Sequence, residues 1–163
     1  MKKRNLALVE LALVILFTAL SAAVLVQVFA AARQVSRESH ATTLGQAMAQ
    51  DLIERWKAGE AVETLFAPAG GWQAVPLGPQ EGLLAALDVP EDAALVPAGG
   101  YALALDEALL PASGGAAAYR LEAVLAEEAQ PAGMLCHLAV RLAAVNSGHE
   151  LVCFANTQYR PGA

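Results

Sequence analysis

Residues 6–32 read LALVELALVILFTALSAAVLVQVFAAA, and this stretch decides the fold. Its only charged residue is Glu10, and it contains neither the proline nor the glycine that would interrupt a helix. About 20 apolar residues suffice to span a bilayer as a helix, in which the backbone polar groups pair within the segment itself. The sequence therefore predicts a transmembrane helix over residues 6–32, with the lipid bilayer as its first partner.

The charges on either side of this stretch predict its orientation. Lys2, Lys3 and Arg4 lie in a short basic leader, residues 1–5, and basic residues beside a membrane helix favour the cytoplasmic side. After Arg33 the acidic residues outnumber the basic ones, and the whole chain has a formal net charge of −6. We therefore expect a single-pass protein of the cell membrane, with a cytoplasmic N-terminus and an acidic C-terminal domain outside the cytoplasm. Direct binding of nucleic acid is not expected, because it requires concentrated lysine and arginine.

The helix is predicted to continue beyond the membrane as an amphipathic segment, residues 33–59. Apolar residues recur there at intervals of three or four, as in one buried stripe of a helix, and they are Ala41, Leu44, Met48, Leu52 and Trp56. Gly45 weakens a helix without ending it, and Gly59 suits the position just past a helix end. We expect one helix from about residue 5 to residue 58, about 80 Å long at a rise of about 1.5 Å per residue.

The rest of the chain divides into a connecting region and a sheet. Residues 60–99 are expected to be irregular, because proline occurs at positions 68, 76, 79, 90 and 97. Residues 100–163 alternate apolar and polar side chains with a period of two, which is typical of strands, and turn residues separate the runs. The predicted strands are residues 101–106, 118–126, 134–144 and 150–159. The last three are expected to form an antiparallel meander that the first strand joins.

Such a sheet has a face to bury, and the apolar stripe of the helix needs a partner. We therefore predict an α+β fold. In it, the outer half of a long N-terminal transmembrane-to-amphipathic helix packs across a C-terminal antiparallel sheet of about four strands.

The N-terminal residues KKRNLALVELALVILFTALSAA resemble those of type IV pilins and of the pseudopilins of type II secretion. The resemblance covers about the first 59 residues by motif, and it implies a pilin-like fold. If Leu6 is the first mature residue, Glu10 matches a family glutamate that pairs with the free N-terminal amine of a neighbouring subunit. The resemblance also implies cleavage between Asn5 and Leu6 by a prepilin peptidase. The family has glycine just before the cleavage point, where this chain has Asn5.

Physical chemistry leaves two interpretations of Glu10 open. A charged side chain inside a bilayer costs roughly 3 kcal/mol or more, so acids within membrane helices usually have a partner or a function. Alternatively, the side chain of Glu10 extends to the cytoplasmic interface, because Glu10 lies only a few residues after Lys2 and Arg4.

Together these features predict a non-enzymatic minor pilin or pseudopilin-like structural subunit of a type IV pilus, a type II secretion system or a DNA-uptake machine. Its implied partners are other pilin-like subunits, contacted through the N-terminal helix, and a prepilin peptidase if the leader is processed. The alternative is a signal-anchored envelope protein, unrelated to filaments, whose outer domain binds a partner or ligand. A third interpretation, a secretory signal cut near residues 30–32, is disfavoured by Glu10 and by the length of the apolar run.

The sequence contains no motif typical of an enzyme, since GxSxG, P-loop, HExxH and CxxC patterns are all missing. After Glu128 the only acid is Glu150, which offers too few oxygen ligands for calcium. Trp56 and Trp72 are expected to contribute to a helix–sheet core rather than to a binding platform. We therefore expect no catalytic residue, no metal site and no cofactor.

Cys136 and Cys153 permit one disulfide outside the cytoplasm. A two-residue turn at Ser147 and Gly148 would place both thiols on one face of a hairpin, about 20 Å apart at the rise of a strand. That separation is too large for a disulfide, or for a metal site shared with His149. The two residues are therefore interpreted as small buried apolar side chains, unless a bulge changes the register.

Overall fold

The structure is a computed structural model that describes residues 2–76, 83, 85, 95–112 and 117–161, with side chains from residue 8 onward. It confirms the predicted α+β arrangement of a long N-terminal helix and an antiparallel sheet. The chain divides into two compact units, Met1–Ser39 and His40–Ala163. Parts of the predicted leader, connecting region and sheet domain lie outside the described residues, namely Met1, residues 77–82, 84, 86–94, 113–116 and 162–163.

The first helix, α1, extends over Lys2–Lys57, as predicted for one uninterrupted helix. Its part up to Ser39 forms the first unit, where the large apolar side chains between Leu8 and Val35 are 52–70% exposed. By length and composition this helix can cross a membrane. Exposed apolar surface costs about 25 cal/mol per Å² in water, so covering this part of α1 with lipid or with other helices would be favourable.

α1 ends in a capping motif at Gly59, as predicted. Gly59 has a φ of 86°, its N–H donates to the carbonyl of Trp56 at 3.0 Å, and the N–H of Glu60 donates to the carbonyl of Arg55 at 3.2 Å. These are the two bonds of a Schellman motif, which favours glycine because side chains are strained at positive φ. The guanidinium of Arg55 also donates to the carboxylate of Glu60 at 2.6 and 2.7 Å, which lowers the pKa of Glu60.

Five strands form one antiparallel sheet in sequential order. They are β1 (Trp72–Ala74), β2 (Leu95–Leu105), β3 (Tyr119–Gln130), β4 (Gly133–Ala144) and β5 (Glu150–Pro161). A short helix, α2 (Val62–Leu65), and a 3-10 turn (Pro68–Gly70) connect α1 to β1. The predicted meander is confirmed, and the expected count of about four strands is corrected to five. β1 was missed because three residues are too few to show a period of two.

β2 begins at Leu95, ahead of the predicted start at Tyr101, although it includes Pro97. The register of β2 against β3 shifts between Pro97 and Gly99. Proline has no N–H to donate and is tolerated in a sheet at such irregularities. Pro97, which was one reason to expect an irregular connecting region, is therefore accommodated by a bulge inside β2.

One face of the sheet and residues 40–57 of α1 bury the main core of the second unit. The buried apolar side chains of this helical segment are those of Ala41, Ala49, Leu52, Ile53 and Trp56. The predicted stripe is thus confirmed at its two ends, but Met48 is only partly buried and Leu44 is 36% exposed. The buried face of the helix is rotated by about one residue relative to the predicted face, so that Gly45 is buried where Leu44 was expected.

Gly45 marks a close approach of α1 to the sheet. It is buried, and a Cβ at this position would overlap Cδ2 of Leu142 on β4. Leu142 is itself fully buried, and close-packed side chains have little room to shift. Glycine is therefore needed here for packing, a role that the sequence pattern alone does not reveal.

The opposite face of the sheet carries a smaller core. Its members are Leu83, Val124 and Ala139, with Leu95 and Cys153 partly buried against them. Two buried polar side chains, Glu122 and His137, lie on the same face. The sheet therefore buries part of both faces, whereas only one buried face was predicted.

Candidate functional site

The residues predicted for processing and assembly lie at the start of α1. Asn5 and Leu6 have helical backbone, and Glu10 follows on the same helix with an exposed side chain. A chain that began at Leu6 would carry Glu10 in the second turn of its helix, since one turn takes about 3.6 residues. The new N-terminal amine and the carboxylate would then lie close to the same end of the helix.

The carboxylate of Glu10 is placed on a largely apolar helix surface. Val14 and Phe17, four and seven residues further on, share its side of the helix and are 55% and 70% exposed. Thr18 is also polar, but its hydroxyl donates to the carbonyl of Val14 at 2.7 Å and is satisfied within the helix. An ionised carboxylate only accepts hydrogen bonds, and the N–H groups of a helix interior are already used. Glu10 therefore requires a donor other than the helix backbone.

The two cysteines lie on opposite faces of the sheet, which corrects the predicted arrangement. The register between β4 and β5 shifts between Leu142 and Ala143, so that Cys153 opposes Arg141 instead of Leu142. A shift of one residue turns a side chain to the other face, and Cys136 therefore packs in the main core while Cys153 packs in the smaller one. Both thiols are free, and burial raises the pKa of each. They stay protonated at neutral pH, which makes them poor metal ligands and nucleophiles.

His137 forms a polar contact between strands on the face of the smaller core. It is 3% exposed, and its Nδ1 shares a hydrogen bond of 2.8 Å with the hydroxyl of Thr157 on β5. Its Nε2 lies 3.7 Å from a carboxylate oxygen of Glu128 on β3. Within the described part of the chain, no group of three or more histidine, cysteine or acidic residues is arranged to hold a metal ion.

Glu122 forms the centre of an ion-pair cluster on the same face. Its Oε2 accepts hydrogen bonds from Nε and Nη2 of Arg141 on β4, and its Oε1 lies 3.2 Å from Nε of Arg120. Glu122 and Arg141 are directly opposed in the β3–β4 register. The side chain of Glu122 is only 8% exposed, so its charge depends on these arginines for compensation.

Trp56 and Trp72 belong to the core, as predicted, with exposures of 1% and 8%. Phe66, in the connection after α1, contacts the ring of Trp72 on β1 edge-on at 5.0 Å and stacks on Tyr101 of β2 at 4.3 Å. Aromatic pairs in these geometries stabilise beyond the burial of their area. The aromatic residues therefore hold the connection after α1 against the sheet.

A hollow of about 680 Å³ opens at the end of the sheet where β3 turns into β4. It is lined by Glu127, Pro131, Ala132, Gly133, Met134, Cys136, Arg160 and Pro161. Among the residues that the structure describes, Arg160 forms no ion pair within 4 Å. A guanidinium in a concave site is suited to hold a carboxylate or another anion. Local sequence does not reveal this hollow, because strands distant in the sequence create it.

No known protein family, curated protein or solved structure matches this chain. The functional conclusion therefore depends on its own residues and geometry.

Proposed function

We propose that this protein is a non-enzymatic minor pilin or pseudopilin-like structural subunit of a type IV pilus, a type II secretion system or a DNA-uptake machine. One combination of features carries the proposal. Glu10 lies at the fifth position of an uninterrupted apolar run, and the same helix, α1, continues from that run into a unit built on an antiparallel sheet. The basic residues Lys2, Lys3 and Arg4 support a cytoplasmic N-terminus with the sheet outside.

In this proposal, lipid covers the exposed apolar surface of α1 before assembly. The helices of neighbouring subunits cover it after assembly. Glu10 pairs with the freed N-terminal amine of a neighbour, which supplies the donor that the helix backbone lacks. A prepilin peptidase produces that amine by cutting between Asn5 and Leu6. Since Asn5 replaces the glycine usual in the family, cleavage is the step at which this chain differs most from its proposed relatives.

Replacing Glu10 with leucine is expected to abolish the lateral contacts of α1 and to leave the protein in the membrane. Leucine removes a charge that costs roughly 3 kcal/mol or more inside a bilayer, so insertion is not weakened. The measurement is cross-linking of a cysteine placed at the exposed Leu16, in the membranes of the protein's own cells, with the adducts identified by mass spectrometry. We expect adducts with other helix-anchored subunits to fall at least about tenfold, which corresponds to about 1.4 kcal/mol.

Gln27→Leu is the matched control, since it also removes a polar side chain from the apolar run, and its adducts should persist. Adducts that persist equally in Glu10→Leu would contradict the role assigned to Glu10. A complete lack of adducts in the parent protein would favour the second candidate function.

That second candidate is a signal-anchored envelope protein whose outer domain binds a partner or ligand. The hollow beside Arg160 favours it, because this guanidinium has no ion-pair partner among the described residues and a guanidinium in a concave site suits an anionic ligand. This function requires neither cleavage after Asn5 nor contacts between α1 helices.

A further inference from the structure

Two adjoining hollows lie on the face of the sheet that packs on α1, near the point where the helix ends. The larger hollow is the one of about 680 Å³ beside Arg160. The smaller hollow has a volume of about 230 Å³, and Trp56, near the end of α1, forms part of its wall. Glu127, Cys136 and Arg160 line both hollows. The two hollows therefore form one depression, which belongs entirely to the second unit.

Two opposite charges face this depression from different strands. Glu127 on β3 opposes Cys136 on β4, and Cys136 opposes Gln158 on β5. Arg160 follows Gln158 by two residues and therefore shares its face of the sheet. Burial raises the pKa of the Cys136 thiol, the charge of Arg160 lowers it, and the charge of Glu127 raises it. Both charges thus lie within electrostatic reach of the same buried thiol.

Glu127 and Arg160 do not neutralise each other directly. Neither side chain takes part in an ion pair within 4 Å among the residues that the structure describes. Two strand spacings of about 4.8 Å and two residues of about 3.3 Å separate their Cα atoms, which places these atoms about 12 Å apart. A direct contact between exposed charges stabilises little in water, so both groups stay available to a ligand.

The separation of the two charges selects the size of a ligand that carries both an ammonium and a carboxylate. Side chains stand roughly perpendicular to a sheet, so the charged ends of Glu127 and Arg160 are about as far apart as their Cα atoms. Two charge-assisted hydrogen bonds of about 2.8 Å each leave roughly 6 Å between the charges of the ligand. An extended chain spans about 3.5 Å per residue, so this distance fits a dipeptide better than a single amino acid.

The remaining walls favour apolar side chains on the ligand. Three apolar residues of the larger hollow are Pro131, Met134 and Pro161. Three of the smaller hollow are Trp56, Tyr101 and Leu125. Apolar walls with a few placed polar groups are typical of sites for small molecules.

A ligand with negative charge alone fits this depression less well. Glu63, on α2, is a second acid in the wall of the smaller hollow, so that two carboxylates face one guanidinium across the depression. Charges of the same sign placed together weaken binding. The balance of charges therefore favours a ligand that also carries a positive group.

We propose that this depression binds a dipeptide with apolar side chains. The carboxylate of the dipeptide accepts hydrogen bonds from Arg160, and its ammonium donates to Glu127. Its side chains pack against the apolar walls of the two hollows. The site belongs to the second unit alone and does not depend on the role proposed for α1 in assembly.

The test is isothermal titration calorimetry of the full chain in phosphatidylcholine nanodiscs, with leucyl-leucine as the probe and empty nanodiscs as the blank. N-acetyl-leucyl-leucine lacks the ammonium, leucyl-leucine amide lacks the carboxylate, and leucine is one residue shorter. Arg160→Gln and Glu127→Gln remove the two charges one at a time. Arg120→Gln is the matched control, because it removes an arginine that is 47% exposed on the opposite face of the sheet.

We expect leucyl-leucine to bind the parent protein and Arg120→Gln equally, and the three other probes to bind the parent at least about tenfold more weakly. Arg160→Gln should lose the preference for the dipeptide over its amide and keep the preference over its acetylated form. Glu127→Gln should show the reverse. Because each variant keeps one of the two preferences, a general loss of structure cannot produce this pattern.

A lack of heat with millimolar leucyl-leucine would overturn the proposal. Equal affinity for the dipeptide and its two derivatives would overturn the assigned charges, and leucine that binds as tightly as leucyl-leucine would overturn the assigned length. Acetylated dipeptide that binds more tightly than leucyl-leucine would indicate a site for anions alone and would also contradict the proposal. None of these results changes the role assigned to Glu10.

Discussion

Replacing Trp56 with alanine is expected to lower the free energy of unfolding of the second unit by about 3–5 kcal/mol. Trp56 is 1% exposed at the end of α1, where it lines a cavity together with Tyr101 and Leu125 of the sheet. Truncation would leave a cavity in the helix–sheet contact that the neighbouring side chains fill only in part. A loss of this size is a large part of the stability of an ordinary domain, which is about 5–15 kcal/mol.

Denaturant unfolding of the full chain in detergent measures this change through the fluorescence of Trp72, the only other tryptophan. Leu44→Ala is the matched control, because Leu44 belongs to the predicted stripe but is 36% exposed. Its expected cost is below about 1 kcal/mol. If Leu44→Ala cost as much as Trp56→Ala, α1 would pack through the predicted stripe and not through the face that contains Gly45.

Replacing Glu122 alone with leucine is expected to have the second largest effect. Removing one partner of a buried ion pair costs roughly 3–5 kcal/mol, and the partial access of Arg141 to water reduces the expected cost here to about 2–4 kcal/mol. The physical reason is that the guanidinium of Arg141, whose side chain is 24% exposed, loses the carboxylate that compensates it. The same unfolding experiment measures the loss.

A double variant distinguishes an uncompensated charge from a general packing defect. Glu122→Leu combined with Arg141→Leu should recover most of the lost stability, because an apolar pair can replace a buried ion pair. Arg120→Ala is the control for the exposed side of the cluster. Its expected cost is below about 1 kcal/mol, since the side chain of Arg120 is 47% exposed. A double variant as unstable as Glu122→Leu would contradict this explanation.

The long helix could be predicted because its signals extend over many residues, but its buried face could not be predicted to the residue. Leu44 and Gly45 are neighbours in sequence, and a search for an apolar stripe selects the leucine. The structure buries the glycine instead, because the backbone approaches Leu142 too closely for a side chain. Such an approach depends on a strand that lies far away in the sequence.

The strands were predictable for a similar reason, and their register was not. Alternation shows which residues of one strand share a face, but not how two strands are aligned. The irregularity between Leu142 and Ala143 places Cys153 opposite Arg141 and turns it away from the face of Cys136. No pattern in the hairpin sequence indicates that shift.

The candidate assembly residues were found from a local motif, since Asn5, Leu6 and Glu10 lie within two turns of one helix. Their role involves a neighbouring subunit and a peptidase, so it remains a prediction. The hollow beside Arg160, by contrast, could not be found from a local motif. It depends on the meeting of β5 with the turn between β3 and β4, and local sequence does not reveal it.

The most direct test of the proposed function is the N-terminal sequence and intact mass of the protein extracted from the membranes of its own cells. Asn5→Gly, which restores the residue usual in the family, is the positive control for cleavage by the peptidase. The proposal predicts that the parent protein begins at Leu6 and carries one additional methyl group on its terminal amine. A parent protein that keeps Met1, while the Asn5→Gly variant begins at Leu6, would contradict it.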